Sequence, residues 1–466
     1  MTPRSLAWIA QAAGGELHGG DRMVDALATD TRALPQGKSA LFVALKGEHF
    51  DGHDQVAAAA NGGCVAALVA RAIDAGIPQV VVRDTKRALA AIAAEAQRAR
   101  ATKVLAITGS NGKTSVKALL VSIMDQLGGA YATPGNRNNE IGLPLAVLDA
   151  PEDARFAVYE MGAGKPGDIA YLTAIARPDV ALVNNIAPAH LEGMGSLLGV
   201  ADTKAAIYDA LLADGVAVIN ADDAFAPYFM ARAHGRRILR FGLDASADIL
   251  ARDIRADGEG SHFVLVVPQG DVDIALPMPG RHNVCNALAA ASMALGVGAT
   301  LTQVRAGLAA VQPVAGRQVA HRLRSGAVLI DDSYNANPGS VDAAIHTLAS
   351  ACAATEGGEA WLVLGEMREL GADEVALHAQ AGARAKSAGI ARLYTLGTLS
   401  AAAAQAFGNG ARHAASHAEL IEALRAQVHA GVRVLVKGSR GSAMDQVVKA
   451  LLAADAAADK GDADAA

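Results

Sequence analysis

Between Val104 and Ser115 the chain reads V-L-A-I-T-G-S-N-G-K-T-S, and this stretch constrains the fold more than any other. Val104 to Thr108 is a short aliphatic and β-branched run, the pattern of a strand buried on both faces in a helix-covered parallel sheet. The turn Gly109-Ser110-Asn111-Gly112 follows, and the spacing predicts that Lys113, Thr114 and Ser115 open a helix carrying apolar residues from Val116 to Leu127. Such a turn is a phosphate cradle. Its glycines let backbone N–H groups converge on phosphate oxygens, Lys113 brings a charge for the β and γ phosphates, and the Thr114 hydroxyl can ligate Mg²⁺. The pattern is the shorter form T-G-x-x-G-K-[ST], with Ile107 where the longer one has a glycine. A bare G-K-T arises by chance in a glycine-rich chain, but one placed between a buried strand and a helix predicts nucleotide binding.

A chain of 466 residues exceeds what one hydrophobic core supports, so two or three domains are expected. With 52% hydrophobic and 19% charged residues the composition suits α/β domains covered on both sides. The net charge of −6 gives no field that would draw nucleic acid or an anionic membrane, so bound anions must be caught locally. Cys64, Cys285 and Cys352 are far apart without C-x-x-C spacing, which argues for buried thiols rather than disulfides or a zinc site. No apolar run is long enough to span a bilayer, and M-T-P-R-S-L-A-W-I-A lacks a signal-peptide core and cleavage site; a cytoplasmic protein is expected.

Three units follow in order. Residues 1–85 alternate short helices and apolar runs, a small α/β domain. Its T-D-T-R segment, Thr29, Asp30, Thr31 and Arg32, is either a capped turn with a surface salt bridge or a holder of a diphosphate. Residues 86–315 contain the phosphate strand, the polar loop T-P-G-N-R-N-N-E-I-G-L-P from Thr133 to Pro144, and strands ending in Glu160 and before His190. Groups just past the C-terminal ends of parallel strands lie where ligands bind, so Glu160 is either a Mg²⁺ ligand opposite Thr114 or a solvated strand end. Lys204 reads by default as an exposed helix lysine. Residues 248–277 alternate apolar and polar, predicting an antiparallel sheet appended to the parallel one, and the next helix offers His282, Asn283 and Asn286 in its first turn. Residues 316–453, with D-D-S-Y-N-A-N-P from Asp331 to Pro338, predict a second doubly wound, Rossmann-like sheet. No G-x-G-x-x-G fingerprint is present in this third unit. The acidic, Ala-rich tail 454–466 lacks periodicity and is expected to be disordered.

T-G-S-N-G-K-T-S, P-G-N-x-N-N-E-I-G-L-P, N-I-A-P-A-H-L-E-G, G-R-H-N-x-x-N, D-D-S-Y-N-A-N-P and L-G-E-M-R-E-L-G, in that order, resemble the Mur ligase family of peptidoglycan synthesis over about residues 25–445. D-D-S-Y-N-A-N-P resembles the dipeptide-adding branch, and the D-N-P-R of the diaminopimelate-adding branch is absent from the third unit. The resemblance implies an α/β protein of three domains: an N-terminal domain for a UDP-linked substrate, a central phosphate-loop ATPase domain and a C-terminal ligase domain. It implies ATP and Mg²⁺ as cofactors and UDP-N-acetylmuramoyl-tripeptide and D-alanyl-D-alanine as small-molecule partners. A monomer with no nucleic-acid partner and no membrane span is expected.

The same resemblance implies the site. Thr108 to Ser115 would hold the phosphates, with Lys113 catalytic and Thr114 and Glu160 on one Mg²⁺. His190 and Lys204 would hold a second ion, the lysine as a carbamate; the glutamate that usually follows two residues later is Ala206 here. Asn283, Asn286, Arg317 and Asp332 would contact ATP. Asn138, Asn139, Tyr334 and Asn335 would face the substrates, and Thr29 to Arg32 with Gly47, Asp51 and His53 would hold the uridine diphosphate. Two other classes fit a phosphate loop: a nucleotide switch, which needs no small-molecule substrate, and a folylpolyglutamate-synthase-like ligase, which lacks both the first domain and D-D-S-Y-N-A-N-P.

Overall fold

In the phosphate strand, Lys103–Thr108, successive side chains point to opposite faces: Leu105 and Ile107 enter one core cluster, Val104 and Ala106 the other. Both clusters are dry, so the strand is covered by helices on both sides, as its unbroken apolar run predicts. The computed structural model describes residues 1–188, 191–256, 260–353 and 357–463.

The phosphate strand lies inside a nine-stranded sheet. On one side lie Phe156–Glu160 and Tyr131–Ala132; on the other, Val180–Val183, Val216–Asn220, Arg237–Gly242 and Ile249–Ala256 continue in parallel. Ser261–Val267 and Gly270–Leu276 then add in antiparallel sense, so the antiparallel element expected at 248–277 is continuous with the parallel sheet, joined by Phe241 against Ile249 and Gly242 against Leu250. The register decides the site. Glu160 pairs beside Ile107 and Val183 beside Thr108, so three strands end on one line.

Residues 1–85 carry a five-stranded sheet, four strands parallel and Glu16–His18 antiparallel at its edge. The helix Thr85–Arg98, capped by Asp84 accepting from the Lys86 and Arg87 N–H groups, links it to the centre. One apolar cluster runs from Leu6 and Ile9 through Leu89 and Ile92 of that helix to Val147 and Tyr159. The third sheet has six strands, parallel except for Val319–Arg322 at one edge, and its register sets Asp332 beside Lys437. The fold is thus the α/β arrangement of parallel sheets that the sequence predicts.

The tail is different. The last helix runs Asp445–Ala463, so residues 454–463 are helical rather than irregular. Alanine is the strongest helix former and prolongs a helix already anchored by Val447, Val448 and Leu451. Among the described residues no helix is long and apolar enough to cross a membrane. The three cysteines are free, with Cys64 and Cys352 buried and Cys285 half-buried.

The phosphate helix, Lys113–Asp125, is held from behind by Leu301–Ala310 at a close crossing. A Cβ on Gly307 would lie 2.4 Å from the Ile123 Cα and 2.7 Å from its nitrogen, so only glycine fits. Gly307→Ala is therefore expected to destabilise the fold by about 1–3 kcal/mol, because backbone must move to admit one methyl group. Thermal unfolding followed by circular dichroism measures it; an unchanged midpoint would contradict the packing described.

Candidate active site

The phosphate loop is shaped by two glycines with positive φ, Gly109 at +146° and Gly112 at +77°. A Cβ at 112 would stand 2.5 Å from Asn286 Oδ1 and 2.6 Å from Asn184 Nδ2. The loop's outer side is laced to the chain that follows the neighbouring strand. Ser110 N–H donates to the Asn185 carbonyl at 2.9 Å and Asn111 N–H to Asn185 Oδ1 at 2.8 Å. Asn184 Nδ2 donates to the Asn111 carbonyl and to Asn286 Oδ1, each at 3.0 Å. The Lys113 ammonium folds onto its own loop, donating to the Gly109 carbonyl at 2.6 Å. Burial lowers its pKa and Arg317 adds to this, against the opposing charge of Glu160. An anion that takes over the ammonium relieves both costs.

The loop opens into a cavity of about 740 Å³, within the range of small-molecule sites. One wall is Ser110 to Ser115 with Asn138, Asn139 and Glu160; the other is Asp332, Tyr334, Asn335 and Lys437 from the third sheet. Asn283, Asn286, Arg317 and Gln318 lie between them. Arg317 spans the two walls: it donates to Thr114 Oγ1 at 3.2 Å, and its guanidinium carbon lies 4.2 Å from the Tyr334 ring centre. Asp332 accepts from the buried Lys437 ammonium at 2.7 Å, and Lys437 also donates to the Asn335 carbonyl at 3.1 Å. Asn337 Nδ2 donates to Asn111 Oδ1 at 2.7 Å while its own Oδ1 accepts Ser340 N–H at the start of Pro338–Ala353.

Glu160 is 3% exposed. Its Oε2 accepts from Thr114 Oγ1 at 3.1 Å and lies 3.2 Å from Lys117 Nζ, while Oε1 accepts from Asn138 Nδ2 at 2.9 Å. Burial alone would raise its pKa, but Lys117, then Lys113, and the Asn138 hydrogen bond outweigh it and hold the carboxyl below its ordinary range. An ionised carboxylate beside a hydroxyl at a phosphate loop is the oxygen donor set that suits Mg²⁺. The residues present therefore fit that ion.

Lys204, in the helix Leu197–Asp209, is 2% exposed, so it is not the surface lysine of the default reading. Burial, reinforced by Lys113 and opposed by Asp168, pushes its pKa down to about 7. His190 lies outside the described residues. Thr108 is buried and its hydroxyl donates to the Met161 carbonyl at 2.9 Å, so it ties strand ends together behind the loop. Asn139 Oδ1 accepts the Gly142 N–H at 2.8 Å and thereby orders the start of the helix Gly142–Asp149.

The first unit's expected residues are not brought to this cavity. Asp30 accepts from the backbone and guanidinium of Arg32, an exposed capped turn. His53 is buried, with Asp51 at Nδ1, and its Nε2 accepts Ala70 N–H at 2.7 Å, so both ring nitrogens are engaged. Gly47 is overlaid by the Phe50 ring. Sequence reasoning missed Lys117, Asn184, Asn185, Gln318, Asn337 and Lys437. Four of these stand within or beside motifs it did quote, and polar residues directly after a strand were the available signal.

A phosphate loop in one parallel sheet, facing the strand ends of a second across a shared cavity, defines an α/β enzyme that brings a nucleotide against other small substrates. The chain belongs to the Mur ligase family: residues 107–294 match the Mur ligase middle domain and 316–440 the Mur ligase, glutamate ligase domain. It is 44% identical over 454 residues, 97% of this chain and 99% of the relative, to the UDP-N-acetylmuramoyl-tripeptide–D-alanyl-D-alanine ligase of Escherichia coli (strain K12). Its structure matches a crystal structure of MurF from Acinetobacter baumannii with a TM-score of 0.90 at 33% identity, over 96% and 98% of the two chains. MurF ligase from Thermotoga maritima in complex with ADP matches with a TM-score of 0.81 at 26% identity, over 92% and 97%.

Gly112→Ala places a methyl group against Asn184 and Asn286 in a backbone region that L residues avoid. Nucleotide affinity read by calorimetry is expected to fall about tenfold or more, the equivalent of roughly 1–3 kcal/mol of local strain. Unaltered affinity in the folded variant would mean that the loop does not hold the phosphates.

Proposed function

We propose that this protein joins D-alanyl-D-alanine to UDP-N-acetylmuramoyl-tripeptide in an ATP-dependent ligation of peptidoglycan synthesis. The observation that carries the reading is the full-length identity to a ligase of that name, with the six motifs in order. A carboxylate is a poor electrophile. Its oxygen attacks the γ phosphorus of ATP and ADP departs, leaving an acyl phosphate. The dipeptide amine then attacks the carbonyl carbon, loses a proton, and phosphate leaves with the C–O bonding electrons. The protein's contribution is positioning and charge neutralisation.

Lys113 and the loop N–H groups are assigned to the β and γ phosphates, and Asn283, Asn286, Arg317 and Asp332 to the rest of the nucleotide. Their convergence on one cavity supports this. Thr114 and Glu160 would hold Mg²⁺, which supplies positive charge to the transferring phosphoryl oxygens. Asn138 and Asn139 are assigned to the muramoyl substrate and Tyr334 and Asn335 to the acceptor. Residues 1–85 are assigned to the uridine diphosphate, with Thr29, Thr31 and Arg32 as its contacts; Asp51 and His53 shape the loop there, because their polar atoms already bond one another and Ala70. One chain supplies both walls of the cavity, which supports a monomer, and reliance on ATP and a UDP-linked substrate supports a cytoplasmic reaction.

Lys204 and His190 are assigned to a second ion, with Lys204 as a carbamate. Carbamylation joins a neutral amine to CO₂ with loss of a proton, turning a cation into an oxygen ligand. An ordinary lysine, with a pKa of about 10.4, is almost entirely protonated at neutral pH, whereas one at about 7 is not. The folded pKa lies below the unfolded one, so the neutral form is lost as pH falls through about 7. At fixed dissolved CO₂, reactivation of decarbamylated enzyme is therefore expected to slow about tenfold per pH unit below that value. Lys204→Ala should be nearly inactive and partly rescued by small carboxylates. A fully active alanine variant would remove Lys204 from the site.

The reaction itself is tested by phosphate release. ATP turnover is expected to require both the UDP-tripeptide and the dipeptide, since an acyl phosphate without its acceptor has no productive exit. Rapid turnover with either omitted would contradict a ligase.

A further inference from the structure

Lys117 is one turn beyond Lys113 in the phosphate helix, and it is 8% exposed although nothing in its motif marks it. Lysine is almost never buried unless its charge is answered. Here three oxygens surround the ammonium: the Thr133 and Gly135 carbonyls, each at 3.1 Å, and Glu160 Oε2 at 3.2 Å. Its three N–H donors are thereby spent. The first two oxygens belong to the entry of the loop Thr133 to Pro144. The third belongs to the carboxylate assigned to the ion.

The same loop returns to the same carboxylate. Asn138 Nδ2 donates to Glu160 Oε1 at 2.9 Å, and the Asn138 carbonyl accepts Gly162 N–H at 2.8 Å just past that strand end. Glu160 Oε2 also accepts from Thr114. Lys117 thus stands where the nucleotide helix, the carboxylate and the loop meet, on the same carboxylate oxygen as Thr114.

We propose that Lys117 is a positioning residue that orders residues 133–139 for the UDP-linked substrate and holds the Glu160 side chain aimed at Thr114. The nucleotide and carboxylate-substrate halves of the site are then in register before either ligand arrives. Loss of the ammonium leaves two carbonyls and a buried carboxylate without their shared donor, and the loop entry is released. This rests on the ligase reading for the identity of the substrate. The ordering of the loop does not.

The test uses the full chain and Lys117→Met, which keeps length and removes charge. Hydrogen exchange in ligand-free protein is expected to accelerate about tenfold or more in residues 133–139, with the phosphate strand unchanged. The KM for UDP-tripeptide is expected to rise about tenfold while the KM for ATP moves less than about threefold. Lys117→Arg, which keeps the charge, should recover part of both. If the methionine variant does not fold, Glu160→Gln and Lys117→Arg decide: faster exchange in 133–139 in the glutamine variant supports the proposal. Wild-type exchange in that segment, or KM values for both substrates raised equally, overturns it. A wild-type enzyme without ligase activity would contradict the function and leave the exchange result intact.

Discussion

A carboxylate at the buried end of a strand has to be answered by donors, and Glu160 draws its donors from separate segments. Thr114 and Lys117 come from the phosphate helix and Asn138 from the polar loop. Leaving such a charge unpaired costs several kcal/mol, so these segments are held together by one electrostatic requirement. The parallel register supplies the place. Because Phe156–Glu160 pairs beside the phosphate strand, the carboxylate emerges at the level of the cradle, and the site is built by strand order before any ligand binds.

The second wall depends on contacts between residues remote in sequence. Asn337 and Asn111 are 226 residues apart, yet their side-chain amides join the start of a third-sheet helix to the phosphate loop. The other end of the Asn337 amide, its Oδ1 accepting from Ser340 N–H, fixes which way the amide meets the loop. Arg317 does the same from the connecting segment, one end on Thr114 and its flat face on Tyr334. Buried Lys437 gives Asp332 a single orientation, since its ammonium also binds the Asn335 carbonyl in the same loop. The phosphate loop is therefore bonded to groups whose positions depend on the third sheet.

These distant pairs explain what the sequence could and could not reveal. The strand from Val104 to Thr108, its glycine turn and its helix were legible because period, turn chemistry and capping all act within a dozen residues. Glu160, Asn138 and Asp332 were legible as polar groups in binding segments. Lys117 was not, and Lys204 came in only through the resemblance, because a lysine on a helix looks the same whether the face it occupies is covered or wet. His53 also came in only through the resemblance, and the fold alone reveals the Ala70 N–H that engages its second nitrogen. The terminal alanines were read by charge and lack of period, whereas propensity continued the helix.

In the proposed ligation the γ phosphoryl group of ATP passes to a substrate carboxylate, and one oxygen of that carboxylate leaves in the phosphate released. Oxygen labelling follows that atom. With ¹⁸O in the terminal carboxylate of the UDP-tripeptide, ATP and D-alanyl-D-alanine, one labelled oxygen should appear in each phosphate released, read by mass spectrometry. Unlabelled phosphate accompanying product formation would show that no acyl phosphate forms, and would contradict the assignment of the phosphate loop and Glu160 to that step.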